Sequence, residues 1–184
     1  MITSDMKNNL LKEINDEIKE KYPFITIKPI NISELIFEER VKMNCFYCGR
    51  YNRNWKCPPN IPAIDYQKMF SEYEHAAFVY LELAFNERNF KEIREKSSLL
   101  LHNALLQLEN YLCNQNYPMA LSFIGGSCKL CKNGCGKEKC NNPYHARTPL
   151  EATGVNVVES AKKYDIDIVF PPEKAITRLG LLLW

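Results

Sequence analysis

The sequence predicts an α/β fold: a single domain over residues 1–184, with a mixed sheet flanked by helices and two cysteine-rich loops at 42–62 and 126–147. Three observations carry that reading. Apolar residues recur at helical spacing in several segments, and these segments alternate with short apolar runs suited to strands. The chain of 184 residues is long enough to bury one core without covalent staples. Seven of its eight cysteines fall in two tight groups rich in turn formers instead of being scattered.

Taken in order, Leu10, Ile14 and Ile18 repeat every four residues, which predicts a first amphipathic helix starting after Ser4/Asp5 and ended by Pro23. Phe24–Ile30 alternates and predicts a short strand. Residues 31–44 carry no clear period. Asp65 is placed to cap a short helix with Tyr66, Met69, Phe70 and Tyr73 on one face. Ala76–Phe85 reads as a strand and Arg88–Cys113 as a long helix. Met119–Ile124, bounded by Pro118 and Gly125-Gly126, is too short and too apolar for anything but a buried strand. Thr148-Pro149-Leu150-Glu151 has capping-box spacing, with Gly154 as the stop, and Asn156 opens another helix to Tyr164. Ile166–Phe170 and Arg178–Trp184 read as two last strands.

Composition excludes several classes. Hydrophobic residues make up 46% and charged residues 25%, ordinary for a globular chain, and a net charge of +2 gives no footing for nucleic acid. The first twenty residues hold no apolar stretch of signal-peptide length, and the runs Ala76–Leu81 and Leu179–Trp184 are too short to span a bilayer. A cytoplasmic, reducing location is the expectation, and there clustered cysteines read as metal ligands or redox groups.

The second group is Cys128-x2-Cys131-x3-Cys135-x4-Cys140, four thiols in thirteen residues. Short, uneven spacers let one loop wrap a small object and aim every sulfur inward, and soft thiolates select zinc or iron–sulfur clusters. Gly126, Gly134 and Gly136 free the backbone to donate N–H groups to sulfur. A zinc ribbon would separate its two knuckles by a dozen or more residues; only three separate Cys131 from Cys135, so the spacing favours an iron–sulfur cluster over zinc. The first group, Cys45-x2-Cys48-x8-Cys57-Pro58-Pro59, offers three thiols. Its fourth position is open to Cys113, His145, a cysteine of the second group, water or a substrate. Cys113 otherwise fits the apolar face of the long helix as a small core residue, and His75 and His102 lack a ligand-spaced partner. Tyr51 and Trp55 are placed to shield the first site from water. Lys42, Arg50, Arg53 and Lys56 flank the first group, and Lys129, Lys132, Lys137, Lys139 and Arg147 the second, against the single acid Glu138. Such cations favour an anionic thiolate cluster and the docking of an acidic electron carrier.

Cys45-Phe-Tyr-Cys48-Gly-Arg-Tyr51, Cys57-Pro58-Pro59, Gly126-Ser127-Cys128-Lys-Leu-Cys131, Ala146-Arg147, Glu151-Ala152 and Gly154-Val155-Asn156-Val157 together resemble a family of predicted metal-binding proteins, a domain of unknown function common in anaerobic bacteria and archaea. The resemblance covers most of the chain after residue 30. It implies that Cys45, Cys48, Cys57, Cys128, Cys131, Cys135 and Cys140 are the ligands, of one or two 4Fe–4S clusters or alternatively of zinc, and that Cys113 is not one. Asn52 stands where that family usually has glycine, and Thr148-Pro149 where it commonly has Pro-Ser. Three functions remain open: electron transfer or a redox accessory role, an enzyme using an open three-cysteine cluster to bind a small substrate, and a structural zinc interaction module.

Overall fold

The computed structural model describes residues 4–184, with side chains from residue 10 onward. The cap expected at Ser4/Asp5 lies outside the described side chains. The elements are α1 (Ser4–Lys19), β1 (Thr26–Ile30), α2 (Glu39–Tyr47), α3 (Tyr66–Phe70), β2 (Ala76–Ala84), α4 (Phe90–Asn114), β3 (Leu121–Phe123), α5 (Val157–Lys162) and β4 (Ala175–Leu183), with single 3-10 turns at Ile32–Glu34 and Leu150–Thr153.

The four strands form one sheet in the order β1-β2-β4-β3. Every ladder is antiparallel, with Ile30 opposite Ala76, Ala76 opposite Leu183, and Leu121 also opposite Leu183. The alternation of helices and strands predicted a mixed sheet. What it produced is a β2–α4–β3 crossover whose strands run the same way with β4 inserted between them, so no parallel ladder forms. Both faces of the sheet are covered, which the period of two in β2 explains. Ala77, Val79 and Leu81 point to one side and meet Ile14 and Ile18 of α1 and Leu101, Leu105, Leu108 and Leu112 of α4. Phe78, with Leu179, Leu181 and Leu183 of β4, points to the other and meets Phe70, Phe123, Leu150, Val155 and Ala161. Gly180 lets α4 sit close: a Cβ there would lie 2.7 Å from Leu105 Cδ1 and 2.6 Å from the Phe123 carbonyl oxygen.

Four local expectations changed. Residues 39–47, without visible period, form α2, because α2 lies on the surface with no fully buried side chain to impose one. Ile166–Phe170 is not a strand: both edges of β4 are already taken by β2 and β3, and only Ile166 of this segment is buried, leaving Val169 and Phe170 57% and 75% exposed. The helix at 150 is a single 3-10 turn with Pro149 at its N-cap and no side-chain cap from Thr148, although Gly154 ends it with φ 96° as its position predicted. Cys113 is exposed, not in the core.

Candidate metal centre

The first cysteine group begins on a helix. Cys45 occupies the last turn of α2 and Cys48 is its C-cap, whose N–H bonds back to the Cys45 carbonyl. The start of α2 is pinned by Glu38 N–H to Gly154 O at 2.9 Å and by Asn156 Nδ2 to Glu38 Oε2 at 2.8 Å, which ties the helix to the segment carrying Glu151. Beyond Cys48 the chain makes consecutive turns. Asn52 takes φ 53°, the left-handed conformation that asparagine tolerates better than most residues.

The second group leaves the end of β3 and returns beside it. Ile124 N–H bonds Thr148 O at 3.0 Å and Leu150 N–H bonds Ile124 O at 2.9 Å, so loop 126–147 closes at its base. Gly125 sits at this neck because a Cβ there would stand 2.4 Å from Leu179 O. Arg147 anchors the returning end. Its guanidinium forms a bidentate pair with Glu109 of α4, Nε at 2.8 Å from Oε1, and Glu109 Oε1 also accepts Ser122 N–H at 2.6 Å. Arg147, expected to face the cysteines as a free cation, is thus a structural anchor. His102, buried and neutral because burial lowers its pKa, donates Nε2–H to His145 O at 2.8 Å. The His145 side chain is exposed and is not gathered with the thiols.

Two hydrogen bonds join the loops. Asn54, 4% exposed, donates Nδ2–H to Cys128 O at 3.1 Å, and Trp55 donates Nε1–H to Gly136 O at 2.8 Å. Trp55, expected only to shield the first group, therefore links the two loops. The thiols share one electrostatic neighbourhood as a result. Burial pushes Cys57 up to about 12, and Cys45, Cys48, Cys128 and Glu151 add to the shift. Burial raises Cys45, reinforced by Glu151 and Cys48. Burial also raises Cys128, with Cys135, Cys131 and Cys140 reinforcing it. Cys57 and Cys128 thus interact across the two groups. Buried thiols this close resist ionising together, and a cation among them would relieve that cost.

Sulfur receives a hydrogen bond from a side chain, Asn142 Nδ2 to Cys131 Sγ at 3.0 Å. Two of the three glycines expected to do this act elsewhere: Gly126 N–H meets Glu151 Oε2 at 3.3 Å and Gly134 N–H meets Cys131 O at 3.1 Å. Among the described residues no three Cys, His, Asp or Glu side chains converge closely enough to hold a single ion, so the seven thiols are neighbours and not a formed ion site. Cys113, four residues past Glu109 on α4, is not among them.

The surroundings are cationic. Lys129 is held below its usual pKa by burial and by Arg178, Arg94 and Arg50, and Arg178 by burial and by Arg94. Lys42 pairs with Glu39 at 2.8 Å, whereas Arg50, Arg53, Lys56, Lys129, Lys132, Lys137 and Lys139 have no ion-pair partner among the described residues. The loops also carry exposed apolar surface: Met43, Phe46 and Tyr47 on α2 are 53%, 54% and 78% exposed, and Phe46 packs edge-on against Tyr51 at 5.0 Å. Glu151, Arg178, Asn54 and Asn142 are the site residues that pattern reading passed over. Arg178 alone carried a visible signal, a charge inside an otherwise apolar closing strand.

A cavity of about 910 Å3 lies at the far end of β4, around Trp184, His75 and Tyr117, and is lined by none of the thiols. A second, of about 220 Å3, lies beside Cys45 between Asn44, Glu151 and Arg178. No helix among the described residues is long and apolar enough to cross a membrane. No curated protein and no solved structure matches the chain significantly. The cysteine-bearing segments and the sheet that positions them fall within residues 28–184, which match the family model described as predicted metal-binding protein (DUF2284), and the chain belongs to that family.

Proposed function

We propose that the protein is an iron–sulfur protein that passes electrons, with Cys128, Cys131, Cys135 and Cys140 holding one 4Fe–4S cluster and Cys45, Cys48 and Cys57 supplying three ligands to a second. Metal binding is the description of its family. The observation that supports the finer reading is that the two cysteine loops are neighbours, tied by Asn54 to Cys128 O and by Trp55 to Gly136 O, with a shell of lysines and arginines that have no ion-pair partner among the described residues. A cluster held by four thiolates is anionic, and that shell offsets its charge in both redox states. When bound, the clusters would supply one-electron chemistry; the chain's own part is to exclude water with Trp55 and Tyr51 and to hold the charge. Met43, Phe46 and Tyr47, exposed on the helix that leads into Arg50, Arg53 and Lys56, would offer apolar surface and nearby positive charge to an acidic electron-transfer partner.

Anaerobic purification followed by metal analysis tests this. Brown protein with iron and acid-labile sulfide in near-equal amounts is expected. Colourless protein with stoichiometric zinc and no sulfide would overturn it in favour of a structural zinc module. The second reading, an enzyme with an open iron at the three-cysteine site, is favoured by the cavity beside Cys45. A small added ligand such as cyanide should then perturb the signal of the first site only.

A further inference from the structure

The side chain that donates to sulfur in the second loop is held by a run of contacts that starts in the core. On α4, His102 is 1% exposed and bonds His145 O at 2.8 Å, and Glu109 pairs with Arg147. These contacts fix residues 145–147 against the scaffold, where Ala146 is buried. Ala146 N–H and His145 N–H in turn reach the Asn142 carbonyl oxygen at 2.8 and 3.2 Å. The backbone at Asn142 is thus set from the scaffold side, and from there its half-buried side chain donates Nδ2–H to Cys131 Sγ at 3.0 Å. Leu130 N–H bonds the Cys128 sulfur, but that donor belongs to the backbone and no substitution removes it. An amide suits this position. It is neutral, competes for metal less than a carboxylate or an imidazole, and offers a donor that is worth roughly twice as much to a charged acceptor as to a neutral one.

We propose that Asn142 is a positioning residue for the second site: its amide N–H orients the Cys131 sulfur and stabilises the negative charge which that sulfur carries once it binds metal. The assignment of Cys131 as a ligand, and of iron–sulfur as the metal, rests on the reading above; the hydrogen bond does not. With an iron–sulfur cluster at the second site, one-electron reduction adds negative charge and neither forms nor breaks a bond, the electron coming from an external low-potential donor. A donor to sulfur then favours the reduced form over the oxidised form. Zinc has no redox chemistry, and with zinc the same bond would act only by slowing release of the metal.

Redox titration of the anaerobically prepared full chain, followed by visible and electron paramagnetic resonance spectra and paired with metal release to a chelator, decides it. Asn142→Leu keeps the shape of the side chain and removes the N–H. Asn142→Asp keeps the shape and puts negative charge where the donor was. At a fixed potential, Asn142→Leu should lower the ratio of reduced to oxidised second site several-fold and Asn142→Asp should lower it further, while the signal of the first site stays put. Each variant should also release metal about tenfold faster, the usual cost of losing a ligand's hydrogen-bond partner. Asn141→Ala, at the exposed neighbouring position, should match the wild type in both readings. If one Asn142 variant fails to load metal, the other carries the comparison; failure of both would show a structural role and overturn the inference. An unchanged potential, an equal shift of both sites, or an Asn141→Ala variant that behaves like Asn142→Leu would overturn it as well. If the protein holds zinc and no sulfide, the iron–sulfur reading falls and the role of Asn142 is read from release alone. Zinc lost about tenfold faster from Asn142→Leu would then sustain the inference, and zinc lost at the wild-type rate would overturn it.

Discussion

The sheet sandwich and the cysteine loops are stabilised by different means. Phe78, Leu81, Leu105, Leu108, Leu181 and Leu182 are fully enclosed, and each such side chain contributes about 1.5–3 kcal/mol by leaving water. In loops 42–62 and 126–147 the buried residues are Asn54, Cys57 and Ala146. Those loops cannot hold themselves by apolar burial. They rest on hydrogen bonds to backbone, on the Glu109–Arg147 anchor, and on whatever joins their thiols. The lesson is that burial holds the scaffold without the loops, whereas metal bound at the thiols would turn its binding energy into folding energy of the loops alone.

The sharpest break between the regions is expected from Cys131→Ser. It should abolish metal at the second site and expose amides 126–147 to hydrogen exchange, while β2 and β4 remain protected. Uniform loss of protection would show that loops and scaffold are one cooperative unit. The reverse experiment is Phe78→Ala. Phe78 is 0% exposed and meets Tyr164 edge-on at 5.7 Å. Its truncation should cost the metal-free protein about 3–5 kcal/mol in urea unfolding, and the folded fraction should keep its full metal content.

Glu109 belongs to both regions, because one carboxylate holds β3 through Ser122 and the second loop through Arg147. Glu109→Gln leaves a half-buried guanidinium without its counter-ion and should cost about 2 kcal/mol. Its distinctive mark is that unfolding stability and metal occupancy fall together. A loss of stability with metal retained would separate the anchor from the site.

The same contrast decides what was legible beforehand. Strands β1, β2 and β4 and helices α1 and α4 could be read because burial imposes a period on their sequences, and the seven cysteines because thiols at short spacing have few other uses. Hidden features were those set by tertiary context. Surface helix α2 bears no buried stripe, so Cys45 looked like a loop residue. Ile166–Phe170 had strand composition, yet it pairs with neither outer strand of the sheet and buries only Ile166. Cys113 matched the apolar spacing of α4 and yet lies exposed near its end, where the core has run out. Glu151 and Arg178 stand 27 residues apart in sequence and share a cleft only through the fold.

Acidity sharpens the comparison next, since titration of the loop thiols takes opposite signs with and without metal. In metal-free protein burial lifts Cys57 to about 12 from an ordinary 9.0. A raised folded-state value means that the unfolded chain loses its proton first. The contribution is complete below about pH 9 and is lost as pH rises toward 12, at no more than about 1.4 kcal/mol per pH unit. Cys45 and Cys128, shifted the same way, add to the decline. Urea midpoints of metal-free protein should therefore fall above about pH 9, and Cys57→Ala should flatten the fall. Metal-loaded protein should show the reverse, losing metal in acid as protons compete for thiolate.

The smallest effect tests the contact between the loops themselves. Trp55→Phe keeps an aromatic ring at a half-buried position and deletes only the indole N–H that reaches Gly136 O at 2.8 Å. A single such hydrogen bond is worth about 1 kcal/mol net, too little to unfold the sandwich. The Asn54–Cys128 bond remains in the variant, so the first loop keeps one tie to the second. If the second loop held its metal unaided, neither metal content nor its release would change. If the loops make one site together, the variant should hold the same metal at equilibrium but release it to a chelator several-fold faster, because ~1 kcal/mol is about a fivefold change in rate. Release at the wild-type rate would mean that the two cysteine groups are neighbours without being coupled.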